Sequence, residues 1–112
     1  MKRIEAIIRP EKVDEVRRAL EKVGFPGVNI SEVEGHGKQK GVVQQWRGEQ
    51  YRVELLPKVR LEVVVSDQDA SKIVKAIVET AKTGSVGDGK IFVSTVEEVI
   101  RIRTGETGEA AL

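Results

Sequence analysis

Val59-Arg60-Leu61-Glu62-Val63-Val64-Val65 is the clearest strand in the chain, and together with the segment behind it this stretch decides the fold. Val59, Leu61, Val63 and Val65 fall on one face and Arg60 and Glu62 on the other, the two-residue period of a strand with one buried side. Ser66-x-x-Asp69 then has the form of a capping-box start. Beyond it Ala70, Ile73, Val74, Ile77, Val78 and Ala81 recur at i, i+3, i+4, i+7, i+8 and i+11, which predicts an amphipathic helix. A glycine-rich loop leads to a strand from Ile91 to Val96, and a further strand is expected from Val99 to Arg103. The unit is β-α-β.

The N-terminal part repeats this order. Ile4, Ala6 and Ile8 alternate with Arg3 and Glu5 in a first strand. Pro10 is placed to start a helix, where its missing N–H costs least. Val13, Val16, Leu20 and Val23 form the apolar stripe of that helix, and Gly24 ends it. Val28 to Glu34 reads as a second strand, closed by Gly35 and Gly37. Its phase slips between Ile30 and Val33, which predicts a bulge. From Gly37 to about Leu55 no period is sustained, and so long a stretch inside a small domain usually signals function. Two β-α-β units in 112 residues predict one domain, an α+β ferredoxin-like βαββαβ sandwich with a long loop between strands 2 and 3. The sheet face away from the helices would carry Arg3, Glu5, Ile7, Arg60, Glu62, Val64 and Phe92. Opposite charges there can pair across strands, and the apolar residues between them call for cover by other subunits.

Composition narrows the function classes. Hydrophobic content of 39% and charged content of 33% describe an ordered globular chain. The net charge of +1 has no basic footprint for nucleic acid, and 4% aromatics leave few rings for stacking on bases. The absence of cysteine excludes thiol catalysis, and the single histidine, His36, excludes multi-histidine metal sites. No apolar run reaches membrane length and no signal peptide stands out, which predicts a cytoplasmic protein without direct membrane insertion.

Thr83-Gly84-Ser85-Val86-Gly87-Asp88-Gly89-Lys90 carries the chemistry. Such a loop can turn consecutive backbone N–H groups inward, with a lysine at the rim, to hold an anion such as phosphate. The spacing Gly84-x4-Gly89-Lys90 imitates a Walker A motif and then departs from it. Ile91 replaces the hydroxyl residue that would hold Mg²⁺, and Ile91-Phe92-Val93 opens a strand where a P-loop opens a helix. Taken alone, the segment reads first as a glycine turn joining helix to strand and second as an anion site. Arg101 and Arg103, two apart on an extended segment, would point the same way. They fit either phosphate binding or a surface charge ladder alternating with buried Ile100 and Ile102.

In order along the chain, several segments resemble the PII nitrogen-regulatory signal-transduction family. They are Lys2 to Pro10, Gln39-Lys40-Gly41, Trp46-Arg47-Gly48-Glu49-Gln50-Tyr51, Leu56-Pro57-Lys58-Val59, Thr80 to Val93, and Val99 to Glu106. The resemblance covers the whole chain. It implies a homotrimer with nucleotide sites in the clefts between subunits, a long mobile T-loop at 37–55, a nucleotide-binding loop at 82–90 and a C-terminal loop at 101–109. It implies a regulator, not an enzyme, that binds ATP or ADP, Mg²⁺ and 2-oxoglutarate as effectors. Its expected partners are an ammonium transporter or a nitrogen-assimilation enzyme, with recruitment to the membrane through the transporter.

By the same resemblance the nucleotide falls to Asn29, Gly35, Lys38, Val64, Gly87, Asp88, Gly89, Lys90, Arg101 and Arg103. Asn29 stands where many members carry threonine, and Lys38 where many carry arginine, which keeps the charge and loses the planar fork. 2-Oxoglutarate falls to Arg9, Gln39, Lys40, Gly41 and Lys58, with Gln39 holding the Mg²⁺ that ATP carries. Arg47 resembles the arm residue that docks into an ammonium channel, and Tyr51 the tyrosine that some members nucleotidylate. A nucleotide-only energy sensor of related fold is the alternative, followed by a small phosphohydrolase.

Overall fold

Alternation puts Ile4, Ala6 and Ile8 on one side of β1 (Lys2–Ile8), where all three are buried. The computed structural model describes residues 1–25, 27–35, 42–46, 49–53 and 56–112. After β1 comes a 3-10 turn over Pro10–Lys12 and then α1 (Val13–Lys22). Pro10 therefore opens the turn ahead of the helix. Gly24 ends α1 at φ +94°, with its amide on the Glu21 carbonyl at 3.0 Å and the Phe25 amide on the Leu20 carbonyl at 2.8 Å. This pair of bonds is a Schellman closure, which needs the left-handed residue that glycine supplies.

The chain continues through β2 (Asn29–Gly35), β3 (Val42–Trp46), β4 (Glu49–Val53), β5 (Leu56–Val65), α2 (Asp67–Ala81) and β6 (Lys90–Thr95). Four strands form an antiparallel sheet in the order β2-β5-β1-β6. That order, with α1 and α2 over one face, is the ferredoxin-like α+β sandwich. The core joins Ile4, Ala6 and Ile8 to Val59, Leu61, Val63 and Val65 of β5, Val16 and Leu20 of α1, and Ile73, Ile77 and Ala81 of α2. Each buried Ile or Leu contributes about 1.5–3 kcal/mol relative to exposure. At the start of α2 the Ser66 hydroxyl donates to the Asp69 carboxylate at 2.9 Å, and the Asp69 amide to the Ser66 carbonyl at 3.1 Å.

Three expectations are corrected. β2 pairs with β5 continuously from Asn29 opposite Glu62 to Gly35 opposite Leu56, so it holds no bulge. Ile30, opposite buried Leu61, lies on the helix side, while Val33, opposite Lys58, lies on the other. An edge strand with neither side deeply covered tolerates that mixture. Second, the aperiodic stretch contains a hairpin, β3 with β4, in register from Val42 opposite Val53 to Trp46 opposite Glu49. Among the described residues its two strands pair with each other and not with the main sheet, so the alternation of that sheet does not extend to them. Third, Val99–Arg103 is not a strand: Ile100 makes an isolated bridge to Thr107, and residues 102–104 turn.

The sheet face away from the helices carries the expected residues. Arg3 lies opposite Val64, Glu5 opposite Glu62 and Phe92, and Ile7 opposite Arg60. Two carboxylates directly opposed repel, and the Arg60 guanidinium offsets this at 3.5 Å from Glu5. Its Nε is buried and completes no hydrogen bond among the described residues. Phe92 is 53% exposed on this face, and Val93 is 50% exposed on the helix side of β6. The β6 edge is thus apolar and uncovered on both sides.

Candidate functional site

The glycine-rich loop is closed by one carboxylate. Asp88 Oδ2 accepts from the amides of Thr83 at 2.8 Å and Gly84 at 2.9 Å. Its Oδ1 accepts from the Thr83 hydroxyl and from Arg9 Nε, the latter at 3.1 Å. Thr83 Oγ1 in turn accepts from the Ser85 amide at 3.2 Å. The Thr83 hydroxyl first and the Thr83 amide second hold this carboxyl well below the usual carboxylate range against the opposing effect of burial, with lesser help from the Gly84 amide and Arg9. Short polar side chains bond neighbouring backbone readily; here that tendency sets a whole loop.

Two cations tie the loop to the sheet. Arg9, just past β1, donates through Nη2 to the Val86 carbonyl at 2.8 Å, and Lys58 of β5 donates to the Gly87 carbonyl at 2.7 Å. In a trans peptide the carbonyl and the following N–H point in opposite directions. With the Val86 and Gly87 carbonyls turned toward Arg9 and Lys58, the N–H groups of Gly87 and Asp88 point away from those cations. Gly84, Gly87 and Gly89 take positive φ values of 90°, 103° and 103°. At Gly89 the demand is also steric, because a Cβ there would lie 1.7 Å from the Ile7 carbonyl oxygen. Burial pushes the Lys58 ammonium below its ordinary value and Arg9 adds to this by repulsion, while Glu11 and Asp88 act the other way.

The register sorts the predicted residues into two groups. Arg9, Gly35, Lys58 and Gly87 to Lys90 gather at one end of the sheet, where Lys90 lies opposite Ile7 and Gly35 opposite Leu56. β6 then runs from that end to Thr95 opposite Lys2, roughly 17 Å at strand rise. The Val96 amide reaches the Met1 carbonyl at 3.0 Å, so Arg101 and Arg103 leave the sheet from the far end. Val64, opposite Arg3, belongs there too, and Asn29 sits midway, level with Glu62 and Glu5. Lys38, Gln39, Lys40, Gly41, Arg47 and His36 lie outside the described residues. Tyr51 is central in β4, opposite Gln44.

Arg101 and Arg103 do not share an extended segment. The Arg101 guanidinium bonds Glu106 at 2.9 Å and the Ala110 and Leu112 carbonyls at 3.1 and 3.4 Å, folding the tail back on itself. Arg103 is exposed in the turn. Ile100 and Ile102 are not buried as the charge-ladder reading required: Ile102 is 100% exposed. Residue reasoning missed the carboxylate role of Asp88, its partner Thr83, and the Arg101–Glu106 pair. The spacing Thr83-x4-Asp88 in a glycine loop was the available signal for the first.

Among the described residues no group of three or more His, Cys, Asp or Glu could hold a metal, and no helix is long and apolar enough to cross a membrane. The geometry is that of a glycine-rich loop fixed by Asp88, Arg9 and Lys58 at one end of the sheet. Comparison with known proteins shows the family. The sequence profile described as nitrogen regulatory protein P-II matches residues 1–106. The chain is 56% identical over 112 residues to nitrogen regulatory protein P-II of Rhizobium meliloti, covering all of both chains. It is 54% identical over 112 residues to nitrogen regulatory protein P-II 2 of Methanothermobacter thermautotrophicus, covering all of this chain and 97% of that one. The corresponding protein of Pasteurella multocida is 54% identical with both chains fully covered. These matches define a signalling protein, an effector-binding regulator of partner proteins and not an enzyme. The chain belongs to the nitrogen regulatory protein P-II family.

Proposed function

We propose that this chain senses ATP or ADP at the glycine-rich loop, takes up 2-oxoglutarate once ATP and Mg²⁺ are bound, and relays that occupancy to a partner through residues 37–55. The observation that carries the nucleotide half is the closed loop: its shape is set by Asp88, Arg9 and Lys58, the trans peptides turn the Gly87 and Asp88 N–H groups away from those two cations, and Lys90 stands exposed where the loop enters β6. Fixed donors beside a cation suit phosphate.

The division of phosphate-binding candidates between the two ends of β6 supports a site completed by a second copy. A loop from one subunit would meet Arg101 and Arg103 of another. The uncovered Phe92, Val93, Ile100 and Ile102 supply apolar surface for that assembly, and exposed apolar surface of this kind favours cover. A closed homotrimer would give three such clefts. Gln39 would hold Mg²⁺ through its amide oxygen, and Lys40, Gly41 and Lys58 would receive the oxo acid. The mutual repulsion of Arg9 and Lys58 favours an anion beside them. Arg47 and Tyr51 would serve docking and modification, with a cytoplasmic protein meeting an ammonium transporter or a nitrogen-assimilation enzyme.

A second reading, a nucleotide-only energy sensor, draws on a specific feature: Arg9 and Lys58 already bond the loop. Calorimetric titration of ATP with Mg²⁺, then of 2-oxoglutarate with and without that nucleotide, separates the two. Oxo-acid heat that appears only with ATP and Mg²⁺ supports the full sensor, and linkage then requires the oxo acid to tighten ATP equally. Tight ATP with no oxo-acid response selects the energy sensor. No nucleotide binding at all sinks both.

A further inference from the structure

We infer that the Asp88 side chain is the positioning residue of the phosphate loop and that Arg9 acts through it, as part of a clasp, not as a ligand to an effector carboxylate. The inference rests on the nucleotide reading above and gives the Asp88 and Arg9 side chains roles other than the ligand roles that the resemblance implies. Three observations carry it. Both Asp88 oxygens are taken up within the protein, by Thr83, Gly84 and Arg9, so the carboxylate has turned inward, away from any incoming anion. Arg9 spends Nε on that carboxylate and Nη2 on the Val86 carbonyl. Its side chain is also the more enclosed of the pair, 15% exposed against 23% for Asp88.

The arrangement solves an electrostatic problem. A carboxylate next to phosphate would repel it, yet the loop needs one strong acceptor to gather the amides at its start. Pairing Asp88 with Arg9 cancels the charge locally and leaves Lys90 to face the anion. The clasp also sets peptide orientation. Arg9 fixes the Val86 carbonyl, so the Gly87 N–H is aimed before ligand arrives. Preorganised donors bind more tightly because their ordering is complete in advance.

The test is a double-mutant cycle on the full chain, with ATP and Mg²⁺ as the calorimetric probe. Asp88→Ala and Arg9→Gln should each weaken ATP by at least about tenfold, and the double variant by little more than the worse single one, since both remove one clasp. Asp88→Asn should fall between wild type and Asp88→Ala, because its amide oxygen still accepts from Thr83 and Gly84. Amide exchange gives a readout independent of binding: Thr83 and Gly84 should lose protection in ligand-free Asp88→Ala, and lose part of it in Asp88→Asn and Arg9→Gln, while the core strands keep theirs. ATP affinity in Asp88→Ala within twofold of wild type overturns the inference, as do single effects that multiply in the double variant. Should Asp88→Ala fail to fold, Asp88→Asn and the exchange pattern decide alone. Lys90→Gln separates the two levels. If it weakens ATP and the clasp variants do not, the inference fails and the nucleotide site stands; if wild type binds no ATP, both fall.

Discussion

The glycine loop and the C-terminal segment both carry candidate phosphate-binding cations, but only one of them is finished within a single chain. The loop is tied to two strands through Arg9 and Lys58, closed by Asp88, and fitted against Ile7 at Gly89. The segment from Ile100 to Thr107 holds itself together through an isolated bridge and the Arg101–Glu106 pair, and it leaves Ile102 wholly in solvent. On the proposed reading, the part that is complete alone receives the anion and the part that exposes isoleucine beside arginine is covered by a neighbouring copy. That contrast is the physical case for a site shared between copies.

The largest way to break the comparison is at Gly89. Gly89→Ala places a methyl against the Ile7 carbonyl in a left-handed backbone, and strain plus overpacking should cost about 3 kcal/mol or more. Gly84→Ala, equally left-handed but with nothing within 4 Å, should cost only about 1–2 kcal/mol. Urea unfolding of the pair measures the difference; equal losses would show that the loop does not lean on β1.

Next comes the exposed tail. Ile102→Asp should leave single-chain stability within about 0.5 kcal/mol, as expected of a surface change, yet lower the association state in sedimentation and weaken ATP. Unchanged association would mean that Ile102 is mere surface. Arg101→Gln sharpens the point. Losing an exposed ion pair should cost about 0.2–1 kcal/mol of stability, whereas ATP affinity should fall at least about tenfold if Arg101 contacts phosphate; charged hydrogen bonds of about 1.5–3 kcal/mol account for that.

The smallest effect is one of pH. Asp88 has a folded pKa below its unfolded value of about 3.9. Its contribution is therefore fully present above pH of about 4 and is lost only as pH falls through the lower folded value. Carboxyl NMR should find Asp88 ionised where exposed aspartates have already protonated, and a normal titration would mean that the clasp is open in solution.

Much of the fold was legible because burial writes a period into sequence. Val59, Leu61, Val63 and Val65, and the stripe from Ala70 to Ala81, face one core and announce it. β3 and β4 were not legible, since a hairpin outside the main sheet imposes no such period. Val99 to Arg103 misled for the opposite reason: Ile100 and Ile102 alternate with arginines like a half-buried strand, while the single chain exposes both. At the site, glycine and lysine spacing marked an anion loop, but the roles of Asp88 and Arg9 depend on contact between residues 79 positions apart. No local pattern records that.

The most direct test of the shared site is subunit complementation. A chain carrying Lys90→Gln and a chain carrying both Arg101→Gln and Arg103→Gln are prepared separately, then unfolded and refolded together, and ATP binding is measured by calorimetry. Each variant alone should bind weakly, and every mixed trimer should regain one intact cleft, restoring tight binding at up to about one third of sites. Mixed chains that bind no better than their parents would contradict a cleft formed by the loop of one subunit and the arginines of another.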